Sequence, residues 1–132
     1  AMISCKDAGA KRILSIPVSA PFHTNLMKPA AEKLSKDIKI VKFSPPTIPV
    51  VHNVNARIQS EPESIKDLIV EQIFKPVLWV DCIETMANHG VTNIVECGAG
   101  KVLSGLCKRI DSSLKAYSTE DTFSLSQTLS SL

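Results

Sequence analysis

Hydrophobic positions along the chain fall either at spacings of three and four or in short continuous runs, and the switches between these patterns mark out the predicted elements. Residues 3–10 read as the end of a helix, stopped around Gly9 before an extended run over 13–18. Pro21 biases Ala20 away from helical geometry, which predicts a loop over 19–23. Met27, Ala30, Ala31, Leu34 and Ile38 then form the stripe of an amphipathic helix, with Pro29 tolerated in its first turn. His23 is thereby expected at or just before a helix N-terminus.

Pro45, Pro46 and Pro49 lead into an apolar strand over 48–53, where proline favours the start or an edge. Ser64 is the expected cap of a helix over 65–74, ended by Pro76, with Ile65, Leu68, Ile69 and Ile73 on one face. A helix over 79–88 closed by Gly90 and a strand over 92–96 come next, followed by a tight turn at 98–100. The pattern ends with a helix over 101–110, a short strand over 115–118 and a helix from about Phe123. In the 101–110 helix, Val102, Leu103, Leu106 and Ile110 are expected to face inward. Strands alternating with helices predict an α/β layered fold with a mainly parallel sheet. Three or four strands among this many amphipathic helices suggest part of a larger sheet.

The composition, 44% hydrophobic and 21% charged with mean hydropathy +0.11, is that of a globular chain, and 132 residues suffice for one core. A net charge of +2 with scattered basic residues gives no reason to expect nucleic acid as a partner, while a basic patch facing an acidic protein remains compatible. Cys5, Cys82, Cys97 and Cys107 show no CxxC pair, so neither a metal site nor a disulfide framework is predicted; reduced thiols fit a cytoplasmic protein. No apolar run approaches the roughly 18 residues of a membrane span, and no membrane partner is expected.

Gly98-Ala99-Gly100-Lys101, between a predicted strand and helix, raises the question of an anion cradle, because glycines let main-chain N–H groups approach a phosphate. Its spacing fits neither GxxxxGK[ST] nor GxGxxG, which leaves a tight strand-to-helix turn. His89, at a helix end, reads as a favourable charge beside the last carbonyls, and His52 as a packed side chain with one hydrogen bond. His23 differs, because it follows a loop leaving the C-terminal end of a predicted strand, where α/β folds gather functional groups. On residue type and position alone, a catalytic and a structural role both stay open for it.

Four segments in order, SIPVSAPFHTNLMKPAAEKL, PPTIPVVHNVNA, EQIFKPVLWVDCIETM and IVECGAGKVLSGLCKRI, resemble the C-terminal half of bacterial malonyl-CoA:acyl-carrier-protein transacylases. The resemblance runs from about residue 8 to about residue 118. It implies transfer of malonyl from coenzyme A to a serine and on to the phosphopantetheine thiol of acyl carrier protein, in fatty-acid biosynthesis. By the same resemblance His23 is the base and acid of a Ser–His dyad, oriented by the main-chain carbonyl of Gln72. Phe22 takes the position whose bulk disfavours an added α-methyl, an effect of about 1–3 kcal/mol. Asn53, with Asn55, falls near the implied pocket, and Lys11 and Arg12 are candidates for carrier-protein docking. No metal and no cofactor beyond the two substrates, malonyl-CoA and phosphopantetheinylated acyl carrier protein, is implied.

The implied fold is an α/β-hydrolase-like large subdomain carrying a ferredoxin-like small one. Residues 1–20 match the last helix and strand of the small subdomain, and 21–132 the C-terminal part of the large one. No GxSxG occurs in the chain. In the family the serine, a malonyl-binding arginine and an oxyanion-hole glutamine all precede the matched region. The chain alone is therefore expected to be inactive, to need the N-terminal half as partner, and to self-associate without it. Two other classes fit the same residues: a non-catalytic protein-binding module, and an acyltransferase piece of a larger polyketide or fatty-acid synthase.

Overall fold

Helices and short strands alternate through residues 2–15 and 18–132, the residues that the computed structural model describes. Helix α1 (Met2–Asp7) buries no side chain. Beyond it Ile13, Leu14, Ser15 and Val18 form no strand, while Ile16 and Pro17 of the expected 13–18 strand lie outside the described residues. A strand needs neighbours to take its N–H and C=O groups, and no described strand runs beside this segment.

A 3-10 turn, Asn25–Met27, leads into α2 (Lys28–Lys39), which has Pro29 in its first turn. Ala31 and Ile38 of the predicted stripe are buried, and Met27 and Leu34 are half-buried. This face packs on α3 (Pro62–Gln72). The Lys28 ammonium lies 5.8 Å over the Phe74 ring, a contact worth about 0.5–1 kcal/mol. Helix α3 starts before the expected position because Pro62 is preorganised for a first turn, with Glu61 as N-cap. Ser64 therefore sits inside the helix instead of capping it, and the helix ends at Gln72 rather than Phe74.

Strands β1 (Val51–His52) and β2 (Arg57–Ile58) pair antiparallel, Val51 opposite Ile58. Only Val51 and His52 of the expected 48–53 strand are paired; Pro49 has no N–H to offer, and Ile48 and Val50 are exposed. The sequence reading contains no β2. Its turn lacks glycine and proline; Ala56 supplies the left-handed residue with φ +55°, and the Asn55 side-chain oxygen accepts the Arg57 N–H at 3.1 Å.

The C-terminal part is built on a βαβ unit. Helix α4 (Trp79–Asn88) precedes β3 (Asn93–Glu96), α5 (Val102–Ile110) crosses over, and β4 (Lys115–Ser118) pairs parallel to β3, Asn93 opposite Lys115. Helix α6 (Thr122–Ser131) begins at a reciprocal Asp121–Ser124 capping box and is tied to β4 by the Thr128 hydroxyl, which donates to the Ser118 carbonyl at 2.9 Å. Among the described residues, one parallel and one antiparallel pair stand where a mainly parallel sheet is expected. No described helix is long and apolar enough to cross a membrane.

The core centres on Ile83 and Cys107, both fully buried, and Leu114, flanked by Trp79, Met86, Ile94, Ile110 and Ala116. Burying a side chain such as Ile83 contributes about 1.5–3 kcal/mol. Helix α5 turns Ser104 and Cys107 to the strands, not the side predicted. Val102 is 71% exposed, Leu103 and Leu106 are exposed, and only Ile110 of that set joins the core. Two strands are too narrow to cover both flanks of the helix. His52 also departs from expectation: its Nε2 is buried without a partner, and desolvation lowers its pKa.

Candidate functional site

The loop before α2 turns sharply. Phe22 donates its N–H to the Ala20 carbonyl at 2.9 Å, and the Thr24 hydroxyl donates to the Pro21 carbonyl at 2.8 Å while accepting the Leu26 N–H. His23 sits at the corner with φ +59°, a left-handed conformation that costs a residue with Cβ about 1–2 kcal/mol.

That strained conformation is held from one direction, the C-terminal end of α3. The His23 N–H donates to the Ile73 carbonyl at 3.1 Å. Its ring Nδ1 lies 2.9 Å from the Gln72 carbonyl oxygen and 3.1 Å from that of Lys75. Carbonyl oxygens only accept, which places the proton of the neutral ring on Nδ1 and leaves the Nε2 lone pair free. The same oxygens lie at the C-terminal end of α3, the negative end of the helix dipole.

The sequence reading pairs His23 with Gln72 through the main chain, and the structure brings these two together at that atom. It adds the carbonyls of Ile73 and Lys75, which the sequence reading does not contain. A main-chain acceptor leaves no trace in residue type; only the position of a helix end could signal it.

Beside His23 a groove of about 410 Å³ runs between α2 and α3, lined by Phe22, Met27, Leu34, Ile69, Gln72 and Ile73 among others. This is the size of a small-molecule cleft, and its lining is largely apolar. Phe22 stands half-exposed at its rim. Asn53 does not line it: the Asn53 carbonyl accepts the Leu78 N–H at 2.8 Å and its side-chain oxygen meets the Cys82 thiol at 3.7 Å, which braces the start of α4. Lys11 and Arg12 are exposed in the segment after α1.

The glycine turn after β3 holds no free anion cradle. Gly98 and Gly100 take φ of +138° and +89°, turning the chain into α5. Glu96 then reaches across the turn and accepts from the N–H groups of Leu103 and Ser104, at 3.1 and 2.8 Å, and from the Ser104 hydroxyl at 2.7 Å. Two first-turn N–H donors that a phosphate could use are thus taken by the protein's own carboxylate. These hydrogen bonds, led by the one from the Ser104 side chain, hold the Glu96 carboxyl below the usual range.

No family model matches the chain. Malonyl CoA-acyl carrier protein transacylase of Salmonella typhimurium is 45% identical over 126 residues, which are 96% of this chain and 41% of the relative. Acyl-carrier-protein S-malonyltransferase from Burkholderia pseudomallei superposes with a TM-score of 0.89 at 46% identity, covering 98% of this chain and 42% of that one. A malonyl-transacylase solved in complex with its type II PKS acyl-carrier protein gives a TM-score of 0.92 at 42% identity, again over 98% and 42%. The chain spans about two fifths of the length of the curated relatives it matches. In sequence and in backbone alike, it matches the C-terminal portion of the malonyl CoA-acyl carrier protein transacylases.

Proposed function

We propose that this chain supplies the acid–base portion of a malonyl-CoA:acyl-carrier-protein transacylase, with His23 as the group that moves the proton. One observation carries the reading: Nδ1 is held by the carbonyls of Gln72 and Lys75, so Nε2 is the acceptor that a general base requires. In the first half-reaction Nε2 takes the proton of a serine hydroxyl as its oxygen attacks the thioester of malonyl-CoA, and gives it to the departing coenzyme A thiolate. In the second it takes the proton of the carrier's phosphopantetheine thiol as that sulfur attacks the malonyl ester, and returns it to the serine oxygen. Two carbonyls in place of a carboxylate orient the ring without adding a full charge.

The serine comes, in this reading, from the N-terminal portion of the transacylase, which also covers the exposed apolar flank of α5. The coarse α/β architecture then divides into the end of a ferredoxin-like subdomain, residues 1–20, and part of a hydrolase-like one, 21–132. Phe22 at the groove rim crowds an added α-methyl, and Lys11 and Arg12 contribute to docking the acidic carrier. Substrates alone suffice, without a metal or cofactor, and the cytoplasm is the compartment.

The test is malonyl transfer from coenzyme A to acyl carrier protein, followed by mass spectrometry, with the chain alone and mixed with the N-terminal portion of a transacylase. Transfer only in the mixture, lost on His23→Ala, supports the reading. No transfer despite demonstrated assembly refutes it, and transfer by the chain alone places the nucleophile within it.

A further inference from the structure

The hydrogen-bond ladder of α3 stops at one identifiable residue. Its last rung joins the Lys75 N–H to the Glu71 carbonyl at 3.0 Å. The next rung would run from residue 76 to Gln72, but residue 76 is proline and has no N–H. The oxygen left without its helical donor is the one 2.9 Å from His23 Nδ1. Pro76 is exposed, so burial in the core does not account for it.

We infer that Pro76 is a positioning residue for His23, which keeps the Gln72 carbonyl open by withholding a rival donor. An N–H at position 76 would be tethered four residues from that carbonyl, in helical register, and would compete with the imidazole from a chain segment already in place. The ring would then keep only the Lys75 carbonyl, at 3.1 Å. Its preference for Nδ1–H would weaken, and the Nε2–H form, which has no lone pair to offer at Nε2, would gain population. The functional meaning of this rests on the reading of His23 as the base, whereas the claim about the ring proton does not.

The experiment compares three residues at position 76 in the 132-residue chain. Proline is the parent. Pro76→Ala restores the N–H, and N-methylalanine, introduced by cell-free translation with a chemically charged tRNA, removes it again while retaining a tertiary amide. Nitrogen-15 histidine NMR, in solution or in the sedimented solid, reads which ring nitrogen of His23 is protonated across a pH series; a His23→Gln sample assigns the signals.

The proline and N-methylalanine chains are expected to share the Nδ1–H signature. In the alanine chain the ratio of Nε2–H to Nδ1–H should rise about fivefold, the change that the net strength of one hydrogen bond gives. An alanine chain indistinguishable from the parent would overturn the inference. Loss of the signature in both variants would also overturn it, by assigning the effect to the proline ring. Should the alanine chain fail to fold, N-methylalanine decides alone: retention upholds the missing donor, loss refutes it. A failed transfer assay leaves this readout intact, and a failed readout leaves the transfer reading standing.

Discussion

Glu96 and Ser104 are joined by two hydrogen bonds that span a turn and connect the end of β3 to the first turn of α5. The cap of this helix comes from the preceding strand and not from the residue before the helix, since Lys101 at the N-cap makes no side-chain cap bond. A single carboxylate therefore holds the two parts of the βαβ unit in register as well as satisfying the helix end.

The pH dependence of stability follows from that contact. The folded Glu96 carboxyl titrates below its unfolded value, near 4.3 for glutamate, so its contribution is fully present above that value and is lost as pH falls through the folded pKa. Glu96→Gln should lower the melting temperature at neutral pH. The gap from the parent should close under acid, because the parent carboxyl becomes neutral as well. Thermal melts followed by circular dichroism between neutral and strongly acidic pH check this; a gap that persists unchanged at the acid end contradicts it.

Gln72 and His23 should respond differently to truncation. His23→Ala is expected to reduce malonyl transfer in the assembled enzyme by about 10²–10⁴-fold, the usual contribution of a general base. Gln72→Ala retains the carbonyl and should leave transfer within a small factor of the parent. Equal losses in the two variants would show that the Gln72 side chain, not its backbone, matters.

Ile83 has no exposed surface and belongs to the core cluster with Cys107 and Leu114. Ile83→Ala should cost about 2–5 kcal/mol, and Ile83→Val about 0.5–1.5 kcal/mol. Urea titration measures both, and an unchanged slope separates lost stability from an altered unfolded state.

Val102, Leu103 and Leu106 form an exposed apolar flank on α5, which in the isolated chain is expected to drive self-association. Sedimentation velocity should show species larger than a monomer that shrink with Val102→Glu and Leu106→Glu. A sharp monomeric boundary for the parent chain would contradict this.

The legible parts of the fold are those whose signals are local. Pro29 and its stripe mark α2, Gly90 with φ +84° closes α4, and the apolar run before Gly98 marks β3. Features decided by other parts of the chain are not legible. The β1–β2 turn relies on Ala56 in a conformation that usually calls for glycine or asparagine, and the buried side of α5 depends on the width of the sheet beneath it. At the candidate site, the motifs pair His23 with the Gln72 backbone, and the two are in contact in the structure. The Lys75 carbonyl escapes, since any residue carries one, and Asn53 proves to be occupied with the start of α4.

The bond between His23 and Gln72 joins residues 49 apart along the chain. Helices of 12 and 11 residues are marginal on their own, so α2, α3 and the junction between them are expected to form together. The imidazole acquires its fixed tautomer only at the docking of the two helices. In a chain whose two helices have not met, this contact selects neither ring tautomer, so the choice of protonated nitrogen is a property of the assembled fold.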